Sequence, residues 1–359
     1  MTKLIVCTGS LMSGGAERVL SILSTPFADA YDSVEYVLWL DARYSDVFYK
    51  IDPRVKITRI SQASHSNGIL HHLKWFRHHV KKEKPDAILA FMVMINFSVM
   101  VSQLFCRFPL FLAERNDPRY FGRNKWLRKL INVMYSLPNV RRVIMQTENN
   151  RNYFSEKVRK KTDVIYNPVL MDEEYIGCSI REKKEKRIVS VARLEKQKHQ
   201  HILIKAFSSF LVFHPDYTLT FYGDGSIKGE LEGLCRELGI NSKVFFPGRT
   251  KDVYNSIKNA SMFIMTSEYE GMSNSLIEAM CLGLPCISTK VSGATDLIKD
   301  GENFMLIDVD DVTALLEAML AVADNSELAN KISINATKTY HILKADIIAE
   351  QWVNCLKNN

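Results

Sequence analysis

The feature that most constrains the fold is an alternation of short apolar runs with helical patterns, which occurs twice along the chain. In the first half, strand-like runs lie at residues 4–8, 34–40, 55–60, 87–92, 110–113, 143–146 and 164–166, with helical patterns such as 16–24 and 70–82 between them. A second series begins at KRIVSVAR and continues through YTLTFYG, KVFFPG, SMFIMT, PCIST and NFMLID. Such alternation is typical of parallel α/β sheets. The sequence therefore predicts an α/β protein with two doubly wound, Rossmann-like domains.

The predicted domains are separated by a polar, turn-rich stretch, NPVLMDEEYIGCSIREKKEK. We predict an N-terminal domain over 1–168, a linker over 169–186 and a C-terminal domain over 187–342. A length of 359 residues favours two domains over one. Two such domains are expected to face each other across a cleft, with ligands bound beyond the carboxyl ends of the strands.

Charge is distributed unevenly between the halves. Residues 1–167 carry 26 Lys and Arg against 14 Asp and Glu, a balance of +12, and the remainder has a balance of −5. The first half is therefore the expected location of an anionic partner. The sequence contains no zinc-finger spacing and no RNA-recognition motif, so nucleic acid is not the expected partner.

Cysteine usage and hydropathy indicate the compartment. The seven cysteines form no C-x-x-C pair, and their odd number favours reduced thiols in the cytoplasm over disulfides or a zinc site. The N-terminal run MTKLIVCTGS is too short for a signal peptide and is typical of a first strand. The apolar segment 88–105 is long enough to test as a membrane span, but a buried strand followed by a helix explains its polar residues better.

The first candidate site follows the first strand, in TGSLMSGGAER. Gly14 and Gly15 allow close approach of a ligand, and the following helix offers N–H groups to an anion. The Lys-Ser/Thr of a P-loop is missing, as is a G-x-G-x-x-G fingerprint, so neither a P-loop nucleotidase nor a nicotinamide enzyme is favoured. The alternative is a glycine turn that only packs strand against helix.

The second candidate is VARLEKQKH, after the strand that opens the second domain. Arg193 and Lys198 are suited to a diphosphate, because Arg binds oxygens bidentately and Lys is a mobile point charge. The alternative is a solvated loop with ordinary charges.

The third candidate is SEYEGMSNSLIEAMCLGLPCIS, which places Glu270 before a helix and Glu278 within it. We predict that the helix begins near residues 273–275 and offers its N-terminus to an anion. Gly283 is expected to end it. The alternative for Glu278 is a capping box with Ser275, which would make it structural.

Together these motifs resemble those of the retaining glycosyltransferases of the GT-B fold, specifically family 4, the glycosyl transferases group 1. The matching features are Glu-x7-Glu at Glu270 and Glu278, Arg-x4-Lys at Arg193 and Lys198, and the glycine loop SGGAER. FYGDGSIKGEL, FFPGRTKDV and YNPV match as well, so the resemblance runs from residue 3 to the C-terminal helix. It implies that a helix over about 343–359 crosses back to the first domain.

The resemblance also implies residue roles. Arg193, Lys198, Gly15 and the helix start would hold the donor diphosphate, Glu270 the sugar and Glu278 the ribose. The whole implied nucleotide-sugar site comprises Gly14, Gly15, Arg193, Lys198, Gly223, Arg249, Lys251, Glu270, Met272, Ser273, Asn274, Ser275 and Glu278. Sugar transfer with retention would proceed by front-face attack, in which the leaving diphosphate takes the acceptor proton. The candidate catalytic residues are Glu270, Arg193, Lys198, Arg115 and Asn116, the last two in place of a histidine that many family members carry.

Two basic segments are candidates for membrane and acceptor contact. The pattern HHLKWFRHHVKKEK resembles an interfacial helix, and RYFGRNKWLRK follows the loop of Arg115. The residues assigned to this contact are Lys74, Arg77, Lys81, Lys82, Arg119 and Arg123. The alternative for the first segment is a solvated helix with a core stripe.

We therefore expect a cytoplasmic glycosyltransferase, peripheral on the inner membrane, that moves a sugar from a nucleotide-sugar, with UDP favoured over GDP. Its acceptor would be a polyprenyl-diphosphate-linked glycan in polysaccharide assembly. We expect no cofactor and no catalytic metal, because the Asp-x-Asp within residues 308–311 is better explained as a helix cap. The alternatives are a UDP-N-acetylglucosamine 2-epimerase of the same fold and a non-catalytic membrane-binding module.

Overall fold

The computed structural model describes residues 1–12, 14–40, 47–121, 124–181, 183–297 and 302–358. The strands are β1 (Lys3–Thr8), β2 (Ser33–Leu38), β3 (Lys56–Arg59), β4 (Ala87–Phe91), β5 (Leu110–Ala113), β6 (Val140–Met145), β7 (Thr162–Val164), β8 (Arg187–Val191), β9 (Thr218–Tyr222), β10 (Val244–Gly248), β11 (Met262–Met265), β12 (Cys286–Thr289) and β13 (Met305–Ile307). The helices are α1 (Gly15–Ala30), α2 (Ile60–Ala63), α3 (Ile69–Glu83), α4 (Val93–Ser102), α5 (Pro118–Phe121), α6 (Lys125–Tyr135), α7 (Glu148–Asn152), α8 (Glu156–Arg159), α9 (Cys178–Arg181), α10 (Gln200–Phe210), α11 (Lys228–Glu237), α12 (Val253–Ile257), α13 (Asn274–Leu282), α14 (Ser292–Leu297), α15 (Val312–Asp324), α16 (Ser326–Thr337), α17 (Thr339–Leu343) and α18 (Ala345–Lys357). Turns of 3₁₀ helix cover Glu173–Tyr175 and Lys196–Lys198.

The chain divides into two compact units. Unit 1 comprises residues 1–168 and 344–359, and unit 2 comprises residues 169–343. The stretch 169–186, predicted as a linker, is part of unit 2 and not a free connection. Gly177 N–H donates to Cys281 O at 2.9 Å, and Ser179 Oγ donates to Lys258 O at 2.6 Å. These bonds attach the segment to unit 2, which its polar composition did not indicate.

Unit 1 is a parallel sheet covered on both faces by helices. The strand order is β3-β2-β1-β4-β5-β6-β7, and every pair is parallel. Alternate residues of a strand point to opposite faces, so Leu4 and Val6 join one core and Ile5 and Cys7 the other. The first core contains α1 and α18, and the second contains the inner faces of α3, α4 and α6.

Unit 2 repeats this architecture with the order β10-β9-β8-β11-β12-β13, again all parallel. All six strands predicted in this half are present, and the seven strands predicted for the first half are shifted by at most three residues. The apolar segment 88–105 forms β4 and α4, as predicted. No helix in the described ranges combines the length and the apolar character that a membrane-spanning helix needs. All seven cysteines are free thiols.

Strand order locates the expected ligand region of each unit. The order in which successive strands are added to the sheet reverses between β1 and β4 in unit 1 and between β8 and β11 in unit 2. Loops that leave the sheet on either side of such a point diverge and open a crevice. Met92, directly after β4, has a φ of +76°, a left-handed conformation that a bulky residue rarely adopts. Strained backbone of this kind concentrates at functional sites.

Candidate functional site

The loops after β8 and β11 in unit 2 carry the strongest candidate site. The 3₁₀ turn Lys196–Lys198 lies against the 266–270 loop, and several hydrogen bonds join them. Glu268 N–H donates to Gln197 O at 2.9 Å, and Gln197 Nε2 donates to Tyr269 O at 2.8 Å. Thr266 Oγ1 donates to Lys198 O at 2.9 Å. The two loops therefore form one fixed structure at the point where the strand order reverses.

Lys198 and Glu270 form an ion pair in that structure. Lys198 Nζ donates to Glu270 Oε1, and the side chains are only 13% and 12% exposed. Ser267 Oγ donates to the same carboxylate oxygen at 2.9 Å. The sequence placed these two residues in one site on the basis of a resemblance, and the fold brings them into direct contact across 72 positions of chain. An ammonium group has three donors, so Lys198 can bond Glu270 and still donate to a ligand.

Arg193 follows β8 in an exposed position, and glycines fix the loop that carries it. A Cβ atom on Gly223 would lie 1.9 Å from Ala192 O, and one on Gly225 would lie 2.2 Å from Leu194 O. Leu194 N–H donates to Asp224 O at 3.0 Å. Gly223 and Gly225 are therefore required for the close approach of two loops, which positions Arg193.

Helix α13 begins where the sequence predicted, but its cap differs. The N-cap is Ser273, whose Oγ accepts from Leu276 N–H at 3.4 Å, and Gly283 ends the helix with a φ of +82°. Ser275 is therefore inside the helix, and the capping box of Ser275 with Glu278 is wrong. Glu278 lies in the second turn and is 5% exposed, in contact with the core of unit 2.

The remaining predicted donor residues are held at nearby positions. A Cβ atom on Gly293, in α14, would lie 2.3 Å from Gly271 O and 2.6 Å from the Cα of Met272. The start of α14 thus supports the turn between Glu270 and α13. Arg249 and Lys251 are exposed and follow β10, the edge strand two positions from β8.

The glycine loop of unit 1 leads from β1 into α1. Gly14 is the N-cap of α1, with an ordinary φ of −111°. An ideal Cβ on Gly14 would lie 2.0 Å from Glu17 Oε2, and Glu17 Oε1 accepts from Ser10 Oγ at 3.2 Å. The Glu17 carboxylate therefore lies beside Gly14 at the start of α1, and the anion site expected beside Gly14 and Gly15 stays a prediction.

Arg115 lies after β5 in a polar network at the strand ends of unit 1. Its Nη2 donates to Asn167 Oδ1, which also accepts from Gln146 Nε2 at 2.9 Å. Its guanidinium carbon lies 5.3 Å from the ring centre of Phe91 and 5.9 Å from that of Trp352. Burial lowers the pKa of Arg115 to about 9, so the side chain is charged at neutral pH.

Arg115 also has spare donors, because Nε and Nη1 are buried without a hydrogen-bond partner among the described residues. Such donors are costly unless a ligand or water accepts from them. Asn116 caps its own loop, with Oδ1 accepting from Asp117 N–H at 2.9 Å. The sequence missed Gln146, and Asn167 was noted only within YNPV. Both are polar residues just beyond a strand, which is the signal that could have found them.

Glu114, next to Arg115, is buried and in contact with Tyr135 and Asn96. Oε1 accepts from the Tyr135 hydroxyl and from Asn96 Nδ2 at 3.2 Å. Burial raises the pKa of Glu114 from 4.5 to about 7, against the opposing effect of these hydrogen bonds. The folded protein therefore holds a proton on Glu114 that the unfolded chain releases.

Replacing Glu114 with glutamine is expected to flatten the pH dependence of stability. Between pH 4.5 and about 7 the folded state binds this proton and the unfolded state does not, so stability falls as pH rises, by at most about 3 kcal/mol. Glu114→Gln removes that loss and should be more stable than the parent at pH 8 but not at pH 4. Urea unfolding at both pH values measures the difference. Glu156→Gln, a change at a side chain 72% exposed, should leave the profile unchanged, and parallel profiles for Glu114→Gln and the parent would contradict the assignment.

The basic residues assigned to a membrane or an acceptor have different surroundings. Lys74, Lys81 and Lys82 are exposed on α3. Arg77 is instead bound inside unit 1, where Nη1 donates to Ser102 O at 3.1 Å and to Leu104 O at 2.7 Å. The apolar stripe of α3 also faces inward, since Phe76 is fully buried. The stripe faces inward because α3 packs on the sheet through it.

The second basic segment is only partly described. Arg119 is paired with Asp117, with Nε 3.0 Å from Oδ1. Arg123 lies outside the described residues. The exposed Arg119 side chain thus has an intramolecular partner before any acceptor binds.

The acidic run at residues 308–311 caps a helix, as predicted, and also forms ion pairs. Asp311 is the N-cap of α15 and accepts from Ala314 N–H at 2.8 Å. Asp308 pairs with Lys290 at 2.9 Å, and Asp310 Oδ1 lies 2.6 Å from His199 Nδ1. Within the described ranges, His199, His201 and Asp310 form a group whose potential metal-ligating atoms lie within 4.8 Å of one another.

Comparison with known proteins finds similar sequences among glycosyltransferases. Residues 172–339 match the family model described as glycosyl transferases group 1. A GalNAc-α-(1→4)-GalNAc-α-(1→3)-diNAcBac-PP-undecaprenol α-1,4-N-acetyl-D-galactosaminyltransferase of Campylobacter jejuni is 26% identical, covering 99% of this chain and 98% of its own length. An N-acetylgalactosamine-N,N'-diacetylbacillosaminyl-diphospho-undecaprenol 4-α-N-acetylgalactosaminyltransferase of the same organism is 28% identical over 94% of both chains.

Solved structures show the same fold at low sequence identity. Anabaena HepE in complex with UDP and glucose matches with a TM-score of 0.81 at 19% identity, over 100% of both chains. Sucrose-phosphate synthase from Thermosynechococcus elongatus matches with a TM-score of 0.82 at 16% identity, covering 100% of this chain and 99% of its own. Two parallel doubly wound units of this topology are those of the GT-B fold. The match to the glycosyl transferases group 1 model lies in unit 2, and the two full-length relatives are themselves glycosyltransferases.

Proposed function

We propose that the protein transfers an N-acetylhexosamine or hexose from a UDP-sugar to a polyprenyl-diphosphate-linked oligosaccharide, with retention of anomeric configuration. The observation that carries the proposal is the Lys198–Glu270 pair at the strand reversal of unit 2, with Arg193 on the adjoining loop. The names of the Campylobacter relatives support a lipid-linked acceptor and make UDP-N-acetylgalactosamine the first donor to test. In this proposal the protein works on the cytoplasmic face of the inner membrane, where such a donor and acceptor meet.

The chemistry follows from where charge develops. As the bond from the sugar to the diphosphate breaks, negative charge grows on the leaving phosphate. Lys198 and Arg193 stabilise that charge, and the N–H groups at the start of α13 add the positive end of the helix dipole. The leaving phosphate oxygen accepts the proton of the acceptor hydroxyl on the same face of the sugar. Glu270, held by Lys198 and the Ser267 hydroxyl, accepts hydrogen bonds from sugar hydroxyls and orients the ring.

Donor binding is expected to raise the melting temperature with UDP-sugars and not with GDP-sugars. Ligand at 100 times its Kd stabilises the folded state by about 2.7 kcal/mol. A panel of UDP- and GDP-sugars measured by thermal shift identifies the base and the sugar. Lys198→Met should lose the shift, and the neighbouring exposed Lys196→Met should keep it.

Product analysis then tests transfer. Incubation with the selected donor and a short-chain lipid-diphosphate glycan should yield an extended glycan whose new linkage has the donor's anomeric configuration by NMR. Donor consumed without acceptor, with a 2-epimer as product, would identify an epimerase and overturn the proposal. Vesicle binding without a thermal shift by any nucleotide-sugar would instead indicate a non-catalytic membrane-binding module.

A further inference from the structure

The two helical layers of unit 1 differ in what they expose. One layer is formed by α1 and α18. Among the described residues of these two helices, the exposed large hydrophobic side chain is Ile347, at 41%. The other layer, α3, α4 and α6, exposes apolar side chains along most of its length. Large exposed apolar side chains grouped on one layer of helices are typical of a docking site.

Helix α4 has an apolar outer face as well as an apolar inner face. Met94 and Phe97 are 70% and 40% exposed, and Leu104, in line with them beyond the helix end, is 40% exposed. Phe105 follows at 98% exposure with a φ of +65°. Arg77 fixes this end of the helix through its bond to Leu104 O. The segment 88–105 is mostly apolar because its strand is buried and its helix carries apolar side chains on both its inner and its outer face.

Helix α6 continues the surface. Trp126, Leu130 and Val133 share one face at helical spacing and are 82%, 45% and 64% exposed. The two helices are neighbours, since Asn96 Nδ2 of α4 donates to the Tyr135 hydroxyl of α6 at 3.2 Å. We call this surface the α4–α6 face, defined by Met94, Phe97, Trp126, Leu130 and Val133.

Charge decides what can cover the α4–α6 face. Helix α4 has no charged residue, and α6 carries Lys125, Arg128 and Lys129 with no acidic residue. Lys74, Lys81 and Lys82 are exposed on the adjoining α3. A second copy of the chain would bring the same positive charge against this surface. An anionic bilayer accepts both the apolar side chains and the surrounding cations.

We propose that the α4–α6 face docks unit 1 on an anionic phospholipid bilayer, with Trp126 and Phe97 at the level of the headgroups. The apolar contact is thereby assigned to α4 and α6, and α3 contributes its exposed lysines. The purpose of docking rests on the proposed function, because a polyprenyl-linked acceptor is confined to a membrane. The docking itself is independent of donor and acceptor and is measured without them.

The test is co-sedimentation of the full chain with phosphatidylcholine vesicles, with and without phosphatidylglycerol. We expect binding that needs phosphatidylglycerol, weakens with salt, and falls at least tenfold in a Trp126→Ser/Leu130→Ser double variant. The matched control is Val212→Ser/Phe213→Ser, which changes side chains 79% and 63% exposed in unit 2. That control should bind as the parent does. Brominated lipid should quench tryptophan fluorescence of the parent, since Trp39 and Trp352 are buried and Trp126 is the most exposed.

Other results would overturn the proposal. They are equal vesicle binding by the double variant and the parent, or binding that does not depend on phosphatidylglycerol. A concentration-dependent dimer abolished by the double variant would make the α4–α6 face a contact between copies. Transfer to a water-soluble, short-chain acceptor should be unchanged in the double variant. If vesicle binding behaves as expected but no variant transfers sugar, docking stands and the proposed function fails.

Discussion

Lys198→Met is expected to lower the rate of sugar transfer by about 10²- to 10³-fold, the usual cost of removing one preorganised donor from a developing oxyanion. Lys198 is poorly exposed and is oriented by Glu270 and by the Thr266 bond to its carbonyl oxygen. The ammonium group therefore needs little reorganisation when charge appears on the leaving phosphate. Initial rates with a soluble acceptor, taken over a series of UDP-sugar concentrations, measure the effect on kcat/KM. Lys196→Met is the matched control and should transfer at the parent rate.

A second comparison separates catalysis from folding. Lys198→Met leaves the Glu270 carboxylate 12% exposed without its cation, and breaking a buried pair costs up to about 3–5 kcal/mol. The double variant Lys198→Met/Glu270→Gln removes the unpaired charge, so its melting temperature should recover while its transfer rate does not. A double variant that regained both would make Lys198 a structural residue. A transfer rate of the Lys198→Met single variant within tenfold of that of Lys196→Met would contradict the proposed charge stabilisation.

The strands of both sheets were predictable because a parallel strand covered on both faces is a continuous apolar run. KRIVSVAR and SMFIMT become β8 and β11, which are neighbours at the reversal of strand order. Motifs that follow such strands converge whatever their separation in sequence. The contact of Lys198 with Glu270 follows from that topology.

Other features depended on contacts that periodicity does not report. Ser273 and Ser275 are both good caps, and only the backbone shows that the helix starts after the first. The Glu17 carboxylate over Gly14 is a side-chain conformation that no pattern contains.

The amphipathic patterns of unit 1 gave a similar ambiguity. An apolar stripe indicates that a helix has a partner and does not say which one. The stripe of α3 around Phe76 packs on the sheet, whereas α6 exposes Trp126. The sequence therefore predicted a basic, apolar surface on the first half of the chain, and the structure shows that the stripe of α3 around Phe76 is buried while Trp126 on α6 is exposed.

Trp352→Ala is expected to destabilise unit 1 by about 3–5 kcal/mol, the cost of removing a large aromatic side chain from a packed core. Trp352 is fully buried, and its ring stacks on Phe91 of β4 with centres 5.5 Å apart. Its loss opens a cavity between α18 and the sheet and removes one of the rings beside the Arg115 guanidinium. The C-terminal helix belongs to unit 1 for this reason, since the buried side chains of α18 are part of the same core as those of β1, β4 and α1.

The effect can be measured on unit 1 alone. The four tryptophans are at positions 39, 75, 126 and 352, all within unit 1, so tryptophan fluorescence during urea unfolding does not follow unit 2. Trp126→Ala is the control, because it replaces another tryptophan. Trp126 is 82% exposed, so its replacement should change the free energy of unfolding by no more than about 0.5 kcal/mol. Trp352→Phe retains a ring against Phe91 and should lose less than Trp352→Ala. Equal unfolding midpoints for Trp352→Ala and Trp126→Ala would show that α18 does not hold the core of unit 1 together.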